Sequence, residues 1–85
     1  MPSINPDEVI WNEVDGNVVA LQLSSGAYFT FNDVGSDIWR LLDQGKSNTE
    51  ILSVLKKQYS VPIETLEADI SDFINQTTLK GLAHE

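Results

Sequence analysis

The apolar residues of this chain alternate with polar ones at first and later recur every three or four residues. The alternating segment 7–14 predicts a first strand, with Val9 and Trp11 on one face and Ile10 and Val14 on the other. Residues 1–6 hold two prolines and small polar residues, and they predict a frayed lead-in. The regular structure is therefore expected to begin near residue 7.

Two turns divide the alternating region into three strands. Asp15-Gly16 is a strong hairpin signal, because both central residues of a type I′ turn need positive φ, and a second strand follows over 18–23. The next turn is predicted at 24–26, before an aromatic and β-branched run at 28–31 that forms the third strand. One face of the second strand carries Val19, Leu21 and Leu23.

A first helix is predicted over about 34–44. Asn32 and Asp33 offer side-chain oxygens to its free N–H groups, and Gly45 is well suited to end it. Trp39 lies beside the centre of the apolar stripe and is predicted to cover a seam. The stripe consists of Val34, Ile38, Leu41 and Leu42.

The second helix begins with a capping box. Ser47 and Glu50 have the spacing at which the serine oxygen accepts one backbone N–H and the glutamate accepts another. Val61-Pro62 ends this helix, because proline lacks a donor and restricts the residue before it. Its apolar positions are Ile51, Leu52, Leu55 and Tyr59.

The third helix, predicted over about 64–80, is strongly amphipathic. Lys80, Gly81 and Leu82 follow as a cationic last turn, a left-handed glycine cap and its apolar contact. The order of three strands and three helices predicts an α+β fold in one domain over 1–85, with an antiparallel sheet covered by helices on one face. The apolar face of the third helix consists of Leu66, Ile70, Phe73, Ile74 and Thr77.

The charge balance and composition restrict the partners and the compartment. Thirteen acidic residues against 5 basic ones give a net charge of −8, which repels a phosphate backbone and favours a neutral or basic partner. The alternative is that the charge only keeps a small domain in solution. The sequence has no cysteine, no signal peptide and no apolar run near the ~20 residues of a membrane span, so a soluble cytoplasmic protein is expected.

No set of side chains supports catalysis, metal binding or a cofactor. His84 is the only histidine, and we expect it to be a frayed terminal residue rather than a ligand. Glu64, Glu67, Asp69 and Asp72 cluster at the start of the third helix, where acids complement the helix dipole on a solvated face. No serine has a base at a predictable position beside it, and no glycine-rich phosphate loop occurs.

The last two helices, joined by a short proline turn, are similar to a helix-turn-helix. A helix that reads a DNA groove carries basic or amide side chains near its N-terminal end. Here those positions hold Glu64, Glu67 and Asp69. The shape of a winged helix-turn-helix is therefore compatible with the sequence, whereas an acidic DNA-binding regulator is the weaker alternative.

The third strand could be an unprotected sheet edge. It is predicted to turn Phe29 and Phe31 inward and Tyr28 and Thr30 to the other side, and it contains neither charge nor proline. Natural proteins usually protect an exposed sheet edge from further pairing with charged residues or proline. The strand is therefore either shielded within the protein or free to receive another strand.

Three spaced blocks carry a family resemblance. The first runs Gly26-x-Tyr28-Phe29-x-Phe31-Asn32-x-x-Gly35-x-x-Ile38-Trp39-x-Leu41-Leu42-x-x-Gly45. The others are Glu50-Ile51-x-x-x-Leu55-x-x-x-Tyr59-x-Val61 and Asp69-Ile70-x-x-Phe73-Ile74, before Gly81-Leu82. Over 18–82 the chain resembles the PqqD-like peptide-recognition proteins, above all the free-standing members encoded with lasso peptides. Phe31 departs from the pattern, in which leucine is more usual.

The resemblance implies a winged helix-turn-helix without catalytic activity that acts as a RiPP recognition element. It implies that the leader of a ribosomally made precursor peptide adds as a strand to the third strand, in a cleft closed by the third helix, and is delivered to a leader peptidase and a cyclase. The near alternative is a PqqD-type partner of a radical enzyme in quinone-cofactor biosynthesis. The peptide-binding residues carried over by position are Ala27, Tyr28, Phe29, Thr30, Phe31, Leu66, Asp69, Ile70, Phe73 and Ile74.

Overall fold

The predicted order of strands and helices is present in the computed structural model, which describes residues 2–84. The fold is α+β, as expected, and it contains two short strands that the sequence did not predict. The strands are β1 (Ser3–Ile4), β2 (Val9–Val14), β3 (Asn17–Gln22), β4 (Tyr28–Thr30) and β5 (Ala83–His84). The helices are α1 (Asp33–Asp43), α2 (Asn48–Gln58) and α3 (Ile63–Leu79).

Strands β2, β3 and β4 form an antiparallel meander. Asp15 and Gly16 join β2 to β3 with φ of 54° and 85°, the left-handed pair that a type I′ turn requires. The predicted hairpin is therefore confirmed. In the register of the sheet, Trp11 lies opposite Ala20, and Ala20 lies opposite Phe29.

The helices cover one face of this sheet. Val18 and Ala20 are fully buried there, and Phe29 and Phe31 pack beside them, as predicted for the two aromatic residues. The opposite face of the sheet, which includes Val19, is the outer one. No helix covers it in the described chain. Its exposed apolar side chains are Ile10, Val14, Leu23 and Tyr28.

The helix boundaries agree with their predicted caps. Asn32 caps α1 by accepting the Gly35 N–H through Oδ1 at 2.8 Å. Ser47 and Glu50 form both hydrogen bonds of the capping box at the start of α2. Gly81 follows α3 with φ of 80°, and Leu82 is buried behind it. Local chemistry therefore marks the starts of α1 and α2 and the end of α3.

Trp39 occupies a more central position than expected. The prediction placed it over a seam, but its side chain is completely buried between the sheet and the helices. Its ring meets that of Trp11 edge to face at 6.3 Å. A second apolar cluster joins the three helices through residues that include Ile38, Leu55 and Ile70.

The predicted frayed lead-in is wrong for residues 3 and 4. Ser3 pairs with His84 and Ile4 with Ala83, so β1 and β5 form a second, two-stranded antiparallel sheet. His84 is therefore held in a strand rather than frayed, while Met1 lies outside the described residues. Within 2–84 no cluster of three or more potential metal ligands occurs, and no helix is long and apolar enough to cross a membrane.

Candidate functional site

The backbone of β4 alternates between bonds to β3 and an open edge. The Phe31 N–H donates to the Val18 carbonyl at 3.0 Å, and the Gln22 N–H donates to the Ala27 carbonyl at 2.8 Å. Because antiparallel partners alternate between bonded and non-bonded pairs, Phe29 also faces β3. The N–H and C=O groups of Tyr28 and Thr30 consequently point away from the sheet.

A groove runs between this edge and α3. We call its first part the strand half; it has a volume of about 370 Å³. The side chain of Phe73 forms its wall, and Lys80 lies at the Phe29 end, with Nζ 5.8 Å from the centre of that ring. The residues of the strand half are Tyr28, Phe29, Thr30, Phe31, Phe73, Gln76, Thr77 and Lys80.

The groove continues between α1 and α3. We call this second part the helix half; it has a volume of about 260 Å³ and shares Phe73 and Gln76 with the strand half. Its lining combines apolar side chains with Asp69 and Asp72, which belong to α3. The residues of the helix half are Asn32, Val34, Gly35, Ile38, Asp69, Asp72, Phe73 and Gln76.

Aromatic packing fixes the position of Phe73. Its ring lies edge to face with Phe31 at 5.0 Å and with Trp39 at 6.4 Å. A Cβ on Gly35 would come within 3.1 Å of Phe73 Cε1, so glycine leaves the space that this ring uses. The side chain that divides the two halves of the groove is therefore held by the core behind it.

The structure separates the predicted peptide-binding residues into two groups. Residues 28–31, Asp69 and Phe73 line the groove, whereas Ala27 precedes β4 and bonds to Gln22 of β3. Leu66, Ile70 and Ile74 are buried in the helical core, so in this structure they support the wall without forming its surface.

Sequence reasoning missed the polar part of the wall. Gln76 and Lys80 line the strand half, and both lie outside the third-helix block 69–74 that carried the family resemblance. From Asp69, intervals of four, three and four residues along α3 lead to Phe73, Gln76 and Lys80. Such intervals keep residues on one helix face, so the signal was present.

A network of polar contacts links the β2–β3 hairpin, at the edge of the sheet away from β4, to α1 and the end of α2. Arg40 donates to Asp37 at 2.8 Å, to Glu13 at 2.9 Å and to the Gly16 carbonyl at 2.7 Å. The Tyr59 hydroxyl donates to the Asp37 carboxylate, and this bond, with burial and the negative charge nearby, raises the pKa of Tyr59 to about 12.

Comparison with known proteins identifies the family. The model for coenzyme PQQ synthesis protein D matches residues 17–83, which include the whole groove. The chain belongs to the PqqD family. Among curated proteins, none matches this PqqD-family chain.

Two solved structures are similar to this PqqD-family protein. One is described as TbiB1 in complex with the TbiA(beta) leader peptide; it is 39% identical, with a TM-score of 0.89 over 96% of this chain and 94% of that one. The other is a lasso peptide synthetase B1 complexed with the leader peptide; it is 26% identical, with a TM-score of 0.88 over 99% of this chain and 98% of that one. Both similarities extend over the full fold.

Proposed function

We propose that this PqqD-family protein binds the leader of a ribosomally made precursor peptide and delivers it to the leader peptidase and cyclase of a lasso-peptide pathway. The leader adds as a strand to β4, and the protein itself is not a catalyst. It works in the cytoplasm, where precursor peptides are made. The two similar structures, each of a protein bound to a leader peptide, support this assignment.

The observation that carries the proposal is the open edge of β4. Tyr28 and Thr30 each direct one N–H and one C=O outward, so an added strand can form up to four backbone hydrogen bonds. Such bonds are independent of the peptide's sequence and contribute affinity. A peptide that pairs here lies in the strand half of the groove.

Side chains of the groove provide the selectivity. Alternate residues of an added strand point to opposite sides, so every second side chain of the leader faces Phe73 and its neighbours. At ~25 cal/mol per Å² of buried apolar surface, a few such contacts offset the ordering of the peptide. We expect a cognate leader to bind at micromolar affinity or better, which corresponds to about −8 kcal/mol.

The family description favours one alternative function. Because the matching model is that of coenzyme PQQ synthesis protein D, the same edge could serve a precursor of a quinone cofactor, presented to a radical enzyme. The identity of the neighbouring genes distinguishes the two pathways.

Titration of a fluorescent leader peptide tests the proposal. The peptide is the leader half of any short precursor encoded beside this gene, and fluorescence anisotropy reports binding. We expect saturable binding, competed by unlabelled leader and unaffected by the core half of the precursor. Binding that requires the core half, or no saturation at tens of micromolar peptide, would contradict the assignment.

A further inference from the structure

We propose that the helix half of the groove takes a basic side chain, lysine or arginine, from the bound peptide just beyond the segment that pairs with β4. This inference rests on the proposed function, because it concerns the same groove. It adds the chemical class of the residue that this protein selects, and it follows from the end of the strand, the shape of the helix half and its charge.

The ladder along β4 is interrupted after Thr30, because the strand ends there and α1 begins at Asp33. The next carbonyl that could face outward belongs to Asn32, and it already accepts the Ser36 N–H at 2.8 Å at the start of α1. Asn32 Oδ1 is likewise occupied by the Gly35 N–H. A peptide that pairs with Thr30 therefore leaves the strand at this point, and the helix half is the continuation of the groove.

The helix half suits a long side chain with an apolar stem. Its apolar lining includes Val34, Ile38 and Phe73, and Gly35 adds no side chain to it. Lysine and arginine lay their methylene groups on apolar surface while the charged end reaches the rim.

The rim carries the complementary charge. Asp69 and Asp72 are neighbours one turn apart on α3, and both are exposed. Both ion pairs found among residues 2–84 belong to Arg40, so neither carboxylate has a cationic partner there. Lys80 is at the other end of the groove, beside Phe29. The groove is thus negative at its α1 end and positive at its β4 end.

Selection from a display library of random peptides tests the inference without a known ligand. The immobilised wild-type protein is compared with the Asp69→Asn/Asp72→Asn variant, and captured peptides are sequenced. We expect the wild type to enrich lysine or arginine at a fixed distance from an apolar, strand-forming segment. The enrichment should disappear for the variant.

A selected peptide then gives the size of the effect. Because exposed ion pairs contribute little each, the double variant should bind it about three- to tenfold more weakly at low salt. Its affinity should also depend less on salt than that of the wild type. Glu64→Gln/Glu67→Gln removes the same net charge from α3 outside the groove lining and should change affinity by less than about twofold.

The results separate this inference from the proposed function. The inference is wrong if the wild type shows no preference for basic residues, or if both double variants bind the selected peptide equally well. The docking edge still stands in either case, provided that Thr30→Pro loses the peptides. If Thr30→Pro, still folded, captures the same peptides, the docking edge itself is wrong.

Discussion

The two edges of the three-stranded sheet differ in how their outward N–H groups are used. On β2, the Glu8 carbonyl accepts the Leu23 N–H at 2.7 Å, so alternation directs Val9, Trp11 and Glu13 outward. The Val9 N–H nevertheless donates to the Asn5 carbonyl at 3.2 Å, and the Glu13 N–H to Asn12 Oδ1 at 2.8 Å. The β2 edge is therefore largely satisfied from within the chain.

The β4 edge lacks such protection. The outward N–H groups of Tyr28 and Thr30 have no acceptor among the described residues. The β2 side also carries the ion pair between Glu13 and Arg40, whereas β4 contains no charge. Since natural proteins usually blunt exposed edges, the contrast within one sheet supports the proposal that β4 receives a partner strand.

Proline at an inward-facing position of β4 should have the largest effect. Phe29→Pro removes a donor of the ladder to β3 at a position where a sheet does not tolerate proline, and a core of this size supplies only ~3–5 kcal/mol. We expect the variant to be largely unfolded by circular dichroism. Phe29→Ala keeps the N–H and therefore measures the effect of losing the ring alone. A cooperative melt at the wild-type temperature would show that Phe29 does not face β3.

Removal of the groove wall should weaken binding and leave the edge in place. Phe73→Ala is expected to reduce leader affinity by about 1–3 kcal/mol, as for a moderate hot spot. Leu79→Ala is the matched control, because this side chain lies on the same helix and is 80% exposed. Thermal melts must accompany the titrations, since Phe73 also contacts Phe31 and Trp39. Equal leader affinities for Phe73→Ala and Leu79→Ala would show that the Phe73 side chain does not contribute to leader binding.

Alkaline pH should act on the network behind the β2 edge. The raised pKa of Tyr59, about 12, means that the folded state favours the protonated hydroxyl that donates to Asp37. This stabilisation is complete below the ordinary tyrosine pKa of about 10 and disappears as the pH rises through about 12.

Urea denaturation at a series of alkaline pH values measures that loss. As the pH rises, the free energy of unfolding should decrease less for Tyr59→Phe than for the wild type. Tyr28→Phe, which changes an exposed tyrosine, should follow the wild type. If the free energy of unfolding depends on alkaline pH identically in the wild type and Tyr59→Phe, the hydrogen bond from Tyr59 to Asp37 does not stabilise the protein.

Local signals predicted most of the fold. The type I′ turn at Asp15-Gly16, the Asn32 cap and the capping box at Ser47 each act within a few residues, and all are present. The pairing of Ser3 with His84 depends on contacts between distant parts of the chain and left no periodic signal in two-residue strands. Burial of Trp39 was missed because its environment comes from the sheet as well as from its own helix.

The candidate site was predictable as a location but not in its detail. The uncharged aromatic run indicated the edge, yet only the register of the sheet reveals that the backbone N–H and C=O groups of Tyr28 and Thr30 point away from β3. Apolar spacing alone could not distinguish the buried Ile70 from Phe73, which is half-buried beside the groove. Both distinctions depend on tertiary packing.

Leader titration of Thr30→Pro tests the central claim most directly. Proline removes an outward N–H that bonds to nothing in the described chain, and such an edge position tolerates it. We expect a folded protein whose leader affinity falls by tenfold or more, whereas Thr30→Ala, which keeps the N–H, should bind like the wild type. Full-strength leader binding by folded Thr30→Pro would contradict strand addition to β4.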